Sequence, residues 1–192
     1  MAMKTDAARS CTVSTPNGPF TLVTGHGGAD GAADGVARTD YVLASGWTAE
    51  IAKLVGLIPP SLRPSHTEAL PEVECDGLLA RAVAAVRSYY RGESSAPGDV
   101  PVLQVGGPFI ERAWSRLREV PAGTTLTYTE FARVSGNPAS SRAAASACAR
   151  NAAALFVPCL RVRRSDGGIG RFRYGVAVKS ALLRREKTSG LE

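Results

Sequence analysis

Thr127-Tyr128-Thr129-Glu130 opens the stretch that decides the second half of the fold. It continues through Ser135-Gly136-Asn137-Pro138 to Ser141-Arg142-Ala143-Ala144-Ala145-Ser146-Ala147-Cys148-Ala149-Arg150. The first four residues spell a capping box, in which a Thr hydroxyl caps a helix and a Glu three residues on reaches back. That spacing predicts a short helix to about Val134. Ser135 to Pro138 reads as a turn, and Ser140 or Ser141 can cap a second helix from Arg142 to about Arg150. Helix, Gly-containing turn, helix is the helix-turn-helix pattern, which many helical hairpins share. The second helix carries almost only small side chains. Such a helix suits tight packing or simply has high helix propensity. It is equally slim enough to enter a narrow groove of DNA, with Arg142 as a wedge into the duplex.

Upstream, Pro108 suits the first turn of a helix. Phe109, Ile110, Ala113, Trp114 and Leu117 give it an apolar face, and Pro121-Ala122-Gly123 ends it. Residues 93–106, rich in Gly, Ser and Pro, are expected to link it to a separate α/β unit over residues 10–92. There Phe20–Thr24 and Tyr41–Ala44 read as strands, and Gly25 to Arg38 as a Gly/Ala/Asp-rich loop. Thr48 is a cap for a short helix carrying Ile51, Leu54 and Val55. Leu79, Ala82, Val83, Val86 and Tyr90 recur at helical spacing to about Arg91. Residues 1–9 are expected to be an irregular N-terminus and 188–192 a tail.

The chain has 192 residues, a net charge of +6 and 44% apolar residues, as in a soluble globular protein with a sizeable core. No apolar run approaches the roughly 20 residues of a membrane span. The first residues lack a hydrophobic signal region, so a cytoplasmic monomer without membrane contact is expected. The four cysteines, Cys11, Cys75, Cys148 and Cys159, form no CxxC pair, and His26 and His66 lack metal-ligand spacing; no metal or other cofactor is expected. Cationic residues crowd the last third, among them Arg150, Arg161, Arg163, Arg164, Arg171, Arg173 and Lys179. A basic face suits a polyanion such as DNA and equally a solvated surface. Trp47 and Trp114 read as core, and Cys148 as a packed thiol.

Asn151-Ala152-Ala153-Ala154-Leu155-Phe156-Val157-Pro158-Cys159-Leu160-Arg161-Val162 adds specificity. It resembles the active-site stretch of the O6-alkylguanine-DNA alkyltransferases, where Asn and an apolar strand lead to Pro-Cys-His-Arg-Val. The resemblance extends through Ser165-Asp166-Gly167-Gly168, Arg171-Phe172-Arg173-Tyr174-Gly175 and Lys179 to Glu186. Upstream it takes in Phe109 to Leu117, Val120-Pro121, Gly123 and Thr127-Tyr128. It covers residues 107–187 and is nearest to the alkyltransferase half of Ada. It implies a small RNase-H-like α/β N-terminal domain and a mainly α, winged-helix-like C-terminal domain with the helix-turn-helix. The implied partner is double-stranded DNA containing alkylated guanine, whose base is flipped into a pocket and gives its alkyl group irreversibly to Cys159. Residue by residue, Arg142 fills the vacated stack, with Ser141, Ala143, Arg150 and Tyr128 at the DNA. Tyr128 assists flipping and protonates the departing guanine, while Asn151 buttresses the active-site turn. Val157, Pro158, Arg161, Val162, Phe172 and Arg173 form the pocket, and Glu186 matches the family's activating carboxylate.

One position departs from the pattern. The family's histidine after the cysteine is Leu160 here. A free thiol with pKa near 8.5 is a few per cent ionised at neutral pH, so losing full activation costs about 1.5–2 kcal/mol, or about tenfold to thirtyfold. Arg161, Arg163 and Arg173 are candidate cations to lower the thiol pKa. Glu186 either takes the proton through water or merely pairs with an arginine. Leu160 therefore leaves open a lesion-binding relative that performs no transfer, or a cysteine-dependent protein acting on a small molecule.

Overall fold

The protein is described here by a computed structural model, in which residues 7–27 and 39–189 are described. Its first half is a four-stranded sheet in the order β3-β2-β1-β4. Strands β1 (Ala7–Thr15), β2 (Gly18–Gly27) and β3 (Thr39–Gly46) run antiparallel, and β4 (His66–Ala69) pairs parallel with β1. Ala7, Ala8 and Arg9, expected in an irregular N-terminus, open β1. Gly25–Gly27, expected in a loop, complete β2; residues 28–38 of that loop lie outside the described residues.

Strand β1 is buried on both faces, with Cys11 and Val13 on one and Ala8 and Ser10 on the other; the Ser10 hydroxyl donates to the Glu68 carbonyl at 3.2 Å. Across the ladder the Thr12 and Thr21 hydroxyls bond at 2.7 Å. Helix α1 (Ile51–Leu57) starts one residue after Glu50. Thr48 does not cap it; its hydroxyl accepts from the Glu50 amide just ahead of the helix. Helix α2 (Gly77–Arg91) covers the sheet with Leu78, Leu79, Ala82, Val83, Ala85, Val86 and Tyr89 buried. Tyr89 rather than Tyr90 completes this face, and each such large side chain contributes about 1.5–3 kcal/mol by burial. Gly92 ends the helix at φ 115°, where a side chain would be strained.

The segment after α2 does more than connect. Leu103 donates its amide to the Val42 carbonyl and the Val42 amide donates to Pro101, so this stretch runs parallel beside β3. Helix α3 (Pro108–Glu119) starts at Pro108 and buries Ile110, Ala113, Trp114 and Leu117. Short strand β5 (Leu126–Thr127) leads into α4 (Tyr128–Val134), whose capping box has both reciprocal bonds formed. Helix α5 (Ser141–Arg150) is capped by the Ser140 side chain, which accepts from the Ala143 amide. The Trp114 indole donates to the Ala147 carbonyl at 2.9 Å, seating α5 on α3. Strand β6 (Val162–Arg163) pairs in parallel with β5, and α6 (Val176–Ser189) closes the chain.

One apolar cluster runs through both halves, from Phe20, Trp47 and Tyr89 to Trp114, Phe131 and Leu160. The architecture is thus an α/β sheet unit followed by a helical unit, joined by a shared core. Among the described residues no helix is long and apolar enough to cross a membrane.

Candidate active site

The pairing of β5 with β6 assembles the site. Leu126 lies opposite Val162, so the start of α4, with Tyr128, is held against the exit of the turn bearing Cys159. The resemblance implies an apolar strand before the cysteine, but residues 152–158 form turns with a single bridge to Ser45. Backbone groups of Ala152 and Ala154 are bonded to Ser45, and the Ser45 hydroxyl donates to Ala154 at 2.7 Å. Leu155 sits at φ 74°, a conformation that costs about 1–3 kcal/mol and persists only where packing imposes it. It is buried, as are all its neighbours from Asn151 to Pro158.

Cys159 opens a single 3-10 turn, Cys159–Arg161. Successive side chains of such a turn point about a third of a revolution apart. Cys159 faces a cavity of about 1170 Å³, Leu160 enters the core, and Arg161 turns toward α6. Asn151 Nδ2 donates to Cys159 Sγ at 3.3 Å and to the Val157 carbonyl at 2.8 Å. Its Oδ1 accepts from the Ala153 amide and from Gln104 Nε2, both at 3.1 Å. Every polar atom of Asn151 is therefore used, which fixes its donor on the sulfur.

The cavity wall includes Tyr128 from α4 and Ala145, Cys148 and Ala149 from α5. Phe172, Arg173 and Tyr174 close it from the loop before α6. Arg173 donates to the Ala149 carbonyl at the end of α5. Tyr174 donates to the Ser45 carbonyl at 3.2 Å. Trp47 packs at a steep angle against both loop aromatics, with ring centroids 5.8 Å from Phe172 and 5.5 Å from Tyr174. A Cβ on Gly46 would fall 1.8 Å from the Tyr174 oxygen, so this close approach requires glycine. Arg142 and Ser141 stand exposed on a neighbouring groove with Tyr128 and Arg164; Arg150 is exposed at the far end of α5.

Burial pushes the Cys159 thiol up; the Asn151 hydrogen bond, then Lys179, then Arg173 pull it back. Burial also raises Cys148, with Cys159 raising it further. Tyr128 is raised by burial and then by the two thiols, which keeps its phenol protonated. Tyr174 is pushed up to about 12 by burial, against a lowering by Arg173. Burial lowers Lys179, while Cys159 and Cys148 favour its charged form.

Several expected roles change. Glu186, 1% exposed, does not face the cavity. Both its oxygens accept from Arg161, Oε2 from Nε and Oε1 from Nη2, each at 3.0 Å. The Tyr89 hydroxyl and the Gly123 amide complete its shell. Arg161 is consequently neither a pocket residue nor a cation serving the thiol; its third nitrogen, Nη1, donates to the Val120 carbonyl. Arg163 lies exposed on β6, near Glu130. Val157, Pro158 and Val162 are buried behind the cavity rather than on its wall. The Val157 carbonyl is taken by Asn151 and that of Val162 by Lys179. Neither His26 nor His66 lines the cavity; His26 of β2 pairs with Asp40 of β3 at 2.6 Å, and both histidines line a separate pocket. Among the described residues no cluster of His, Cys, Asp and Glu could hold a metal ion.

Cys159, Asn151, Tyr128, Phe172 and Arg173 are thus brought together, while Gln104, Tyr174 and Lys179 carry site roles that sequence reasoning missed. For Lys179 a signal existed. It is the one cation in Val176-Ala177-Val178-Lys179-Ser180-Ala181-Leu182-Leu183, spaced three and seven residues from Leu182 and Glu186, the other two fully buried positions among the described residues of α6.

Comparison with known proteins identifies the class. Residues 108–188 match the family model described as 6-O-methylguanine DNA methyltransferase, DNA binding domain. Over 94 residues the chain is 42% identical to the Escherichia coli bifunctional transcriptional activator/DNA repair enzyme Ada, a match covering 49% of this chain and 27% of Ada. Over 177 residues it is 30% identical to the methylated-DNA–protein-cysteine methyltransferase of Mycobacterium bovis, covering 92% and 91% of the two chains. The crystal structure of Mycobacterium tuberculosis OGT in complex with DNA superposes with a TM-score of 0.69 at 26% identity, over 94% of each chain. The chain belongs to the methylated-DNA–protein-cysteine methyltransferase family.

Proposed function

We propose that this protein repairs O6-alkylated guanine in double-stranded DNA by moving the alkyl group irreversibly to Cys159, once per molecule. The observation that carries this reading is the thiol itself. It sits in a 1170 Å³ cavity, accepts a hydrogen bond from a fully engaged Asn151, and shares the cavity with Tyr128. Helices α4 and α5 serve as the helix-turn-helix. The exposed, small-residue face of α5 enters the minor groove, with Ser141, Ala143 and Arg150 along the backbone. Arg142 fills the space left by the flipped base; flipping costs a few kcal/mol and least for a poorly paired base.

The Cys159 thiol first gives its proton to water. The thiolate then attacks the alkyl carbon. The S–C bond forms as the C–O6 bond breaks, and the electron pair stays on guanine. Tyr128, held protonated, donates to the departing base and is reprotonated by water, so one proton leaves the sulfur and one reaches guanine. The loop from Phe172 to Tyr174 closes the pocket around the base.

Incubation with duplex DNA containing O6-methylguanine should add one methyl group to the Cys159 peptide, stoichiometrically, as read by mass spectrometry. An unmodified peptide under excess lesion refutes transfer. Leu160, buried where the family carries histidine, together with the engagement of Glu186 by Arg161, favours a second reading, a lesion sensor that holds the base without reaction. Lesion-selective binding with no methylated peptide would establish that reading instead.

A further inference from the structure

Lys179 is 1% exposed, yet among the described residues no carboxylate forms an ion pair with it. Its Nζ donates to the Val162 carbonyl at 2.5 Å. That carbonyl lies immediately beyond the turn that begins with Cys159, so the ammonium is tethered to the cysteine-bearing segment. A buried, unpaired cation is costly and needs a compensating charge or a purpose. The groups that act with it are the thiols of Cys159 and Cys148.

Every charged or titratable neighbour of the cysteine can be placed. Lys179 comes from α6, Arg173 and Tyr174 from the preceding loop, Cys148 from α5 and Tyr128 from α4. Arg164, Asp166 and Arg171 also line the cavity; Asp166 pairs with Arg164 at 2.6 Å, and Arg171 is exposed. Glu186 is held by Arg161. Among the described residues no imidazole lines the cavity. The fixed charge around the sulfur is therefore cationic, and its one fully buried source is Lys179.

We propose that Lys179 is the positioning residue that readies Cys159 for attack: its tethered ammonium supplies the positive field in which the thiol ionises, in the place of the family's histidine. This rests on reading Cys159 as the nucleophile. The thiol proton leaves to water in the cavity and Lys179 keeps its own, so a neutral thiol beside a cation becomes an ion pair. Lys179 acts through the sulfur and carries no proton to the substrate. Arg173, exposed and bonded to α5, adds a weaker field of the same sign.

Labelling of Cys159 by iodoacetamide, followed peptide by peptide against pH in the full chain, tests this without DNA. An opposite charge nearby moves a pKa by about 1–3 units, and one unit is a tenfold change in thiolate. Lys179→Met should raise the labelling midpoint by about one unit and cut the neutral-pH rate about tenfold; the rates should converge at high pH. Lys179→Arg, which keeps the charge, should stay within about threefold of wild type at neutral pH. An unchanged midpoint in Lys179→Met overturns the proposal. So does an equal loss in the Met and Arg variants without a midpoint shift, which would make Lys179 only a brace for Val162. If Lys179→Met does not fold, Lys179→Gln carries the same comparison with the same two outcomes. Transfer from methylated duplex is measured alongside. Normal transfer with an unmoved midpoint refutes the role of Lys179 and leaves repair standing; a moved midpoint with no transfer in wild type refutes repair and leaves Lys179 standing.

Discussion

Replacing Glu186 separates a structural carboxylate from a chemical one. The Arg161–Glu186 pair is bidentate, with side chains 9% and 1% exposed. Such a pair adds little net stability over an apolar filling, but removing one partner strands the other charge and costs about 3–5 kcal/mol. In Glu186→Leu the Arg161 guanidinium keeps only the Val120 carbonyl, and the Tyr89 hydroxyl loses its acceptor. A loss of about 4 kcal/mol is therefore expected. With a urea slope near 2 kcal/mol/M, the unfolding midpoint should fall by about 2 M. Glu186→Gln, which still presents one acceptor oxygen, should lose roughly half as much. The double variant Arg161→Met/Glu186→Leu removes both charges and should recover most of the loss, leaving a midpoint within about 0.5 M of wild type. Urea unfolding followed by tryptophan fluorescence reads all of these. The refuting result is a Glu186→Gln protein of wild-type stability that takes up the alkyl group tenfold or more slowly. Glu186 would then serve the thiol rather than Arg161.

Leu160→His should speed alkyl transfer less than threefold, because Glu186 is already committed and an imidazole at this buried site loses solvation; a tenfold gain in single-turnover rate would show that Arg161 releases the carboxylate. Gly46→Ala should drive Tyr174 off the Ser45 carbonyl and slow alkylation of Cys159 several-fold. A crystal structure with Tyr174 unmoved would contradict the close approach. Glu130 is held below the usual carboxyl range by the Thr127 amide and hydroxyl, with Arg133 and Arg163 adding their charge. Its folded value is depressed, so its contribution is complete above the unfolded pKa of about 4.3 and disappears as pH falls through the folded value. The melting-temperature gap between wild type and Glu130→Ala should hold from pH 7 to about 5 and narrow steadily below about 4. A gap that persists undiminished in acid would mean that the carboxylate charge is irrelevant to the cap.

Local signals made the helices around the site legible. Thr127 and Glu130 marked the start of α4, Ser140 or Ser141 that of α5, and Pro108 that of α3, because each satisfies or forgoes a backbone donor at a helix N-terminus. Strand β1 was missed because its apolar face comes down to Cys11 and Val13, too short a run to stand out, while Ser10 is buried on the other face through its bond across the sheet. Helix α6 offers no apolar stripe to read, because Lys179 and Glu186 are two of the three fully buried positions among its described residues. Cys159, Asn151, Tyr128, Phe172 and Arg173 could be placed by their position in a motif. For Glu186 two readings stood open, proton acceptor or arginine partner, and neither the choice nor the particular arginine could be read. Its partner depended on the direction in which a three-residue turn sends Arg161, and that follows from packing between residues 25 positions apart. Gln104 escaped for a similar reason: it lies in a stretch that reads as linker, and only its docking beside β3 brings its amide to Asn151.

Ser45-Gly46-Trp47 gives the two halves of the chain a shared grammar. Ser45 holds the backbone ahead of Cys159, Gly46 leaves room for Tyr174, and Trp47 backs Phe172. Grafting a relative's sheet unit onto residues 108–188 thus succeeds or fails on this tripeptide. A donor unit with a larger residue at the middle position would deliver a folded chimera whose thiol lies under a displaced lid, whatever the identity elsewhere. Swaps between relatives are best cut so that the tripeptide travels with Phe172-Arg173-Tyr174, since the two segments behave as one inherited unit.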